Sequence, residues 1–176
     1  ATPTINADTG VLTISYTSED NGSAEITIRA SDGNGSTLEE SFTVSVTAVN
    51  DDITLTSAID DYSVEEDADP TTVIDLDDVF DDIDLTNGDP SALQTLSYSV
   101  VGNSNSDLAT PSIAGNGVLT VTYTSNDNGS ATITVRADDG NGSTLDESFT
   151  VTVTAVNDPV TLTSSIGNYP VLEDAG

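Results

Sequence analysis

Asp51, Asp82, Asp84 and Asp139 are the side chains whose type and position could do chemistry together. Asp51 and Asp52 follow Asn50 where an alternating pattern breaks off. Asp82 and Asp84 alternate within an acidic run, and Asp139 comes just after a strand-like segment ending at Ala137. Asp20, in a turn of an earlier segment, can approach the same place from the other side. Carboxylates gathered at one spot repel by roughly 1 kcal/mol per pair near 4 Å in bulk water, and by several times more when partly buried. Summed over a cluster, that rivals the ~5–15 kcal/mol stability of a whole domain. The chain holds 31 Asp and Glu against two basic residues, Arg29 and Arg136, so neutralisation has to come from outside. A hard cation is the economical answer, and Ca²⁺ accepts about 6–8 oxygens from Asp, Glu, Asn and main-chain carbonyls.

Composition narrows the other options. A formal net charge of −29 repels nucleic acid and anionic headgroups, which excludes both as partners. Histidine is absent, removing the usual general base and the commonest transition-metal ligand. Cysteine is absent too, so no disulfide staples the fold. No apolar run is long enough to insert directly into a membrane.

The elements that must carry these carboxylates are strands. Leu12, Ile14 and Tyr16 alternate with polar residues, as do Ala24, Ile26, Ile28 and Ala30, and then Phe42, Val44, Val46 and Ala48. Each set lines one face of a sheet, and on that parity Tyr16 and Tyr123 read as core. The pattern returns: Val11–Asp52 and Val118–Pro159 share 33 of 42 residues at an offset of 107, the mark of a tandem array. Between the copies, Ile53–Leu55 and Tyr62–Val64 form a split first strand, Thr72–Leu76 a second, and Leu96–Val101 another. The acidic Asp77–Pro90 connection has room for one helical turn, and a short strand falls near Ser112–Ile113. Turn glycines recur at Asn21-Gly22 and Asp32-Gly33-Asn34-Gly35.

About seven strands in roughly 105 residues, with turn signals every 8–12, predict an all-β, Ig-like Greek-key sandwich in tandem repeats. The expected division is 1–50 as the C-terminal half of one repeat, 51–157 as a complete repeat, and 158–176 as the start of the next. Tyr169-Pro-Val-Leu-Glu-Asp174 matches Tyr62-Ser-Val-Glu-Glu-Asp67. Half a sandwich leaves an apolar face and open edges in water. Residues 1–49 are therefore expected either to be completed by another copy, for instance by its 160–176 segment, or to be poorly ordered.

These residues resemble a family. Val-Arg-Ala-Asp-Asp-Gly (135–140) is similar to the Ala-x-Asp strand end of cadherins, and Val-Thr-Ala-Val-Asn-Asp-Pro (153–159) to the end of a repeat entering its linker. Phe80-Asp-Asp-Ile-Asp84 with Leu96-Ser-Tyr-Ser-Val100 resembles the Phe-x-Asp-x-Asp…Leu-x-Tyr-Ser element of bacterial cadherin-like, dystroglycan-type repeats. Glu65-Glu66 resembles the acidic motif near a repeat's start. The resemblance implies calcium held between adjacent repeats. At the first junction the ligands would be Asp20, Asn50, Asp51, Asp82, Asp84 and Asp139. At the second they would be Glu66, Asp127, Asn157 and Asp158. The linker keeps only Asn-Asp of the family's longer run, which implies fewer ions, bound at roughly 10⁻⁴–10⁻³ M. The implied setting is the bacterial cell surface, where such repeats extend a secreted adhesin.

Other motifs lead nowhere further. Asp139-Gly-Asn-Gly begins like an EF-hand loop, but Thr150 stands where the bidentate Glu belongs, so it reads as a hairpin turn. Threonine rows such as Thr120, Thr122 and Thr124 read as the solvent face of ordinary strands rather than an ice-binding face. Carboxylate pairs suggest a glycosidase only if a deep cleft exists, which a seven-strand sandwich of small residues does not favour; the chain is not expected to be an enzyme. A calcium-dependent carbohydrate-binding module, with polysaccharide as partner, is the alternative to a structural extender.

Overall fold

The computed structural model describes residues 1–67, 72–85 and 94–174. The elements in chain order are β1 (Thr2–Ile5), β2 (Leu12–Ser15), β3 (Gly22–Ser31), β4 (Thr37–Val46), β5 (Thr54–Leu55), β6 (Tyr62–Glu65), β7 (Thr72–Asp75) and β8 (Phe80–Asp81), followed by β9 (Ser97–Asn103), β10 (Ala109–Ile113), β11 (Val118–Tyr123), β12 (Gly129–Asp138) and β13 (Thr144–Thr154). Two short 3-10 turns, Leu76–Asp78 and Ile83–Leu85, interrupt the acidic connection, where one turn was expected. The rest of that connection lies partly outside the described residues.

Residues from Ile53 to Thr154 make an all-β sandwich. One sheet has the order β10-β11-β7 and the other β6-β13-β12-β9; β5 and β8 form a separate small ribbon. The chain crosses between sheets at β6 to β7, β7 to β9, β9 to β10 and β11 to β12, as Greek-key connections do. Every pairing is antiparallel except β6 on β13, where Tyr62 lies beside Val151 and Val64 beside Val153. The split first strand falls where the sequence puts it, as β5 and β6.

Period-two alternation explains the core. On β12, Ala131, Ile133, Val135 and Ala137 are all buried; Phe149, Val151 and Val153 of β13 and Leu119 and Val121 of β11 meet them. Leu76, Val79 and Phe80 enter the same cluster from the acidic connection. Tyr62 stacks on Phe149 with ring centroids 5.9 Å apart, and its hydroxyl lies 3.0 Å from that of Tyr123. Phe80 packs on Tyr98, whose hydroxyl donates to Asp77 Oδ1 at 2.7 Å.

The first copy uses the same residues in a poorer setting. β3 and β4 pair as β12 and β13 do, Ile26 beside Phe42 as Ile133 is beside Phe149. β1 pairs with β2 in the manner of β10 with β11; Thr2–Ile5 carries too little alternation to be recognised as a strand. Residues 1–49 contain no counterpart of β6, β7 or β9. Ile28, Phe42, Val44 and Val46 are half-buried where Val135, Phe149, Val151 and Val153 are buried, and Leu38 and Val49 are largely exposed. Tyr16, expected in a core, is 55% exposed, because no tyrosine stands opposite it as Tyr62 stands opposite Tyr123. The far end tells the same story. Ile53 and Ile59 are 6% and 9% exposed, whereas their repeats Val160 and Ile166 are 103% and 96% exposed. Among the described residues no helix is long and apolar enough to cross a membrane.

Candidate metal centre

The linker after β4 is stapled to the sandwich by hydrogen bonds, three of them donated by linker residues. Asn50 Nδ2 donates to Asp139 Oδ2 at 2.9 Å, the Asp51 amide to Asp84 Oδ2 at 2.8 Å, and the Ile53 amide to Ser143 Oγ at 3.0 Å. Residues some 30 to 90 positions apart in sequence thus meet at one end of the sandwich, as strand parity predicts for Asp82, Asp84 and Asp139 facing Asn50-Asp51.

Local backbone chemistry sets each carboxylate. Asp139 follows β12 and caps the turn into β13. Its Oδ1 accepts from the amides of Asn141, Gly142 and Ser143 at 2.8, 3.0 and 3.0 Å, with Gly140 and Gly142 at positive φ in that turn. The segment is a hairpin turn, as expected, and its side chain faces the junction. Asp82 Oδ1 accepts from the Asp84 amide at 2.9 Å, starting the second 3-10 turn and fixing the two carboxylates relative to each other. All three are buried: Asp82 is 0%, Asp139 4% and Asp84 5% exposed. Asp82 Oδ2 has no hydrogen-bond partner among the described residues.

The first copy supplies the opposite wall. Thr17, Glu19, Asp20, Asn21 and Val46–Val49 line a cleft with Asp51 and Asp84. Within it Glu19, rather than Asp20, comes near Asp51: the Glu19 carboxyl, which accepts from Ser18 Oγ at 2.6 Å, is close enough to the Asp51 carboxyl to push it up. Asp20 lines the cleft without such a contact. Glu19 sits at φ 65° and its repeat Asn126 at φ 58°, a left-handed conformation common for Asn and rare for Glu. That substitution in a near-identical repeat is the signal by which Glu19 could have been found.

Electrostatics mark the cluster as under-neutralised. The adjoining Glu19 carboxyl, then burial, then the charges of Glu19, Asp84 and Asp82 push the Asp51 carboxyl up. Burial pushes Asp82 up; the Asp84 amide opposes it, and the charges of Asp84, Asp139 and Asp81 add to it. Burial also raises Asp139, but the donors from Asn141, Asn50, Ser143 and Gly142 outweigh it and hold that carboxyl below its ordinary value. Neither arginine helps. Arg136 is paired across the strands to Asp146 at 2.6 and 2.8 Å, and Arg29 in the same way to Glu39 at 2.9 Å.

These shifts predict a pH response with a definite sign. In chelator, Asp51 and Asp82 bind protons more tightly folded than unfolded, so lowering pH from neutral toward the ordinary carboxylate range, roughly pH 4, stabilises the junction. The depressed Asp139 works the other way, and its contribution is lost only as pH falls through its lower folded value. Melting in EGTA from pH 7 to pH 4.5 is therefore expected to rise. A flat or falling profile would show that the cluster carries no repulsion to relieve.

The residues proposed for the second junction are less assembled. Glu66 is buried and its Oε1 accepts from the Val156 amide at 2.8 Å, next to Asn157. Asp67 Oδ1 accepts from the Asn126 amide at 3.2 Å. Asp127, Asn157 and Asp158 are exposed; Asn157 Nδ2 donates to the Asp158 carbonyl at 3.3 Å, as Asn50 does to Asp51 at 3.1 Å. The linker turn is the same at both places, and the first is backed by Asp84 and Asp139.

Among the described residues, no group of three or more acidic side chains stands as a ready-made metal cage. The reason is visible in the hydrogen bonds: Asp84 Oδ2 and Asp139 Oδ2 are turned to the Asp51 amide and the Asn50 amide. The carboxylate oxygens of Asp82, Asp84 and Asp139 nonetheless fit a hard cation, being buried and left with one orphaned atom on Asp82.

No protein-family model matches the chain, and neither does any curated protein. Among the solved structures that align with it are the endo-fucoidan hydrolase MfFcnA4 of glycoside hydrolase family 107 and a variant of the same enzyme. Both have a TM-score of 0.44 and 14% identity. The alignments cover 82% and 88% of this chain but only 20% and 22% of those enzymes, so the chain spans about a fifth of their length. A likeness at that level carries no argument about fold or activity.

Proposed function

We propose that this chain is a calcium-bridged section of a tandem β-sandwich array, an extender in which cations at the junctions stiffen successive modules. In this reading the modules are 1–50, 51–157 and the start of a third, and the array belongs to a secreted bacterial surface adhesin. The observation that carries the reading is the orphaned, fully buried Asp82 Oδ2 beside Asp84, Asp139 and the linker residues Asn50 and Asp51. Asp82, Asp84, Asp139 and Asp51 would hold the ion from the complete module and its linker, with Glu19 and Asp20 reaching it from the preceding one. The cation supplies positive charge and nothing catalytic. Because the ligands come from both sides of the linker, binding restrains the angle between modules.

The carbohydrate alternative has less support. Tyr62 and Tyr98 are committed to ring packing, and Tyr123 shares its hydroxyl with Tyr62, so the sandwich offers few free stacking faces. Tyr16 and Tyr169 are exposed in segments whose other apolar residues, such as Val11 and Val171, are exposed as well. Small-angle X-ray scattering with calcium and then with EGTA separates the readings. The extender reading expects a longer, stiffer particle in calcium, with maximum dimension falling and flexibility rising on chelation. Unchanged scattering together with calcium-dependent retention on a polysaccharide would replace it with the carbohydrate reading.

A further inference from the structure

Gln94, which precedes β9, brings an amide into the acidic cluster from a segment far from the linker. Its Nε2 donates to Asn50 Oδ1 in a short contact and lies 3.4 Å from Asp84 Oδ2. Its other end is unusual. Gln94 Oε1 is buried and has no donor among the described residues, and the same holds for Asp82 Oδ2. An amide carries two donors and one acceptor, and burial normally satisfies both ends. Here the donor end is spent on two oxygens of the junction while the acceptor end is left unpaired.

That orientation suits a cluster without a cation. The NH₂ group is a neutral donor brought to surplus oxygens, and turning the amide over would set its oxygen against Asn50 Oδ1 and Asp84 Oδ2. With a divalent cation among them the preference reverses. The NH₂ is then repelled, and Oε1 becomes one more neutral oxygen of the kind calcium accepts. Asn50 Oδ1 is released from its hydrogen bond at the same moment.

We propose that Gln94 is a cation-responsive ligand, holding the junction oxygens through Nε2 when the ion is absent and turning its Oε1 to the ion when it arrives. The proposal rests on the reading of the junction as a calcium site and adds to it a residue that belongs to none of the acidic motifs.

Calorimetric calcium titration of the whole chain, with melting in EGTA and in calcium, tests it on wild type, Gln94→Leu and Gln94→Glu. Gln94→Leu removes both ends and should weaken calcium binding by about tenfold or more, the scale on which groups supporting a metal site act. Gln94→Glu keeps the acceptor and loses the donors. It should melt lower than wild type in EGTA yet bind calcium at least as tightly, an opposition of sign that a merely structural bridge would not produce. In wild type, the ¹⁵N-detected side-chain amide of Gln94 should shift on calcium addition. If wild type binds calcium while both variants bind within twofold of it and the amide signal stays put, the role of Gln94 is overturned and the calcium site stands. If wild type binds no calcium, the calcium reading falls first and this inference with it.

Discussion

Asp82→Asn is expected to stabilise the chain in EGTA and to remove most of its response to calcium. Asp82 is fully buried, one of its oxygens is unpaired, and burial with the neighbouring carboxylates pushes its carboxyl up. Replacing that oxygen with an NH₂ removes a buried charge and brings a donor to Asp84 and Asp139. Relieving an unsatisfied buried group is worth about 1–3 kcal/mol, which moves the melting temperature of a domain this size by several degrees upward. In calcium the order reverses. An ion bound at roughly 10⁻⁴–10⁻³ M and supplied at about 10 mM contributes about 1.4–2.7 kcal/mol to the wild type by mass action, and the variant forfeits it. Differential scanning calorimetry in both buffers reads the two signs directly. A variant that melts below wild type in EGTA, or that keeps the full calcium shift, would show that Asp82 serves only the 3-10 turn it starts.

Phe149→Ala should cost far more than Phe42→Ala, although the two residues occupy the same position of the repeat. Phe149 is 1% exposed, stacked on Tyr62 and surrounded by both sheets. Phe to Ala in such a place costs about 3–5 kcal/mol. Phe42 pairs with Ile26 but among the described residues has no ring stacked on it as Tyr62 is on Phe149, and it is only half-buried, so its truncation loses fewer contacts and leaves no closed cavity. Chemical denaturation followed separately on Tyr62 and Tyr16 by ¹³C labelling would resolve the two regions. Equal losses at the two sites would mean that residues 1–49 are covered in solution as fully as the complete sandwich.

Strand positions were largely readable because period-two alternation survives wherever a strand has one buried face. β11, β12 and β13 therefore fall where the residues place them, and the second copy repeats the first. β1 was missed because Thr2–Ile5 is short and exposed on both faces, leaving no alternation to detect. Tyr16 was misread as core because parity gives the direction of a side chain but not whether anything stands opposite it. Within the site, the Asp82, Asp84 and Asp139 grouping follows from where loops collect at the ends of a sandwich. Ser143 and Gln94 were not legible, and Glu19 only through its standing where the other copy has Asn126. Glu19 turns through a left-handed residue that breaks parity, and Ser143 acts through a single hydroxyl on the Ile53 amide. Gln94 is neutral and belongs to no motif; only its position beside Asn50 and Asp84 reveals it.

Crystals of the chain grown with calcium, measured at a long wavelength for anomalous scattering, test the central claim most directly. The account predicts a peak at the junction, within reach of Asp82, Asp84 and Asp139 and absent from crystals grown in EGTA. An anomalous map in saturating calcium with no peak among those three carboxylates would contradict it.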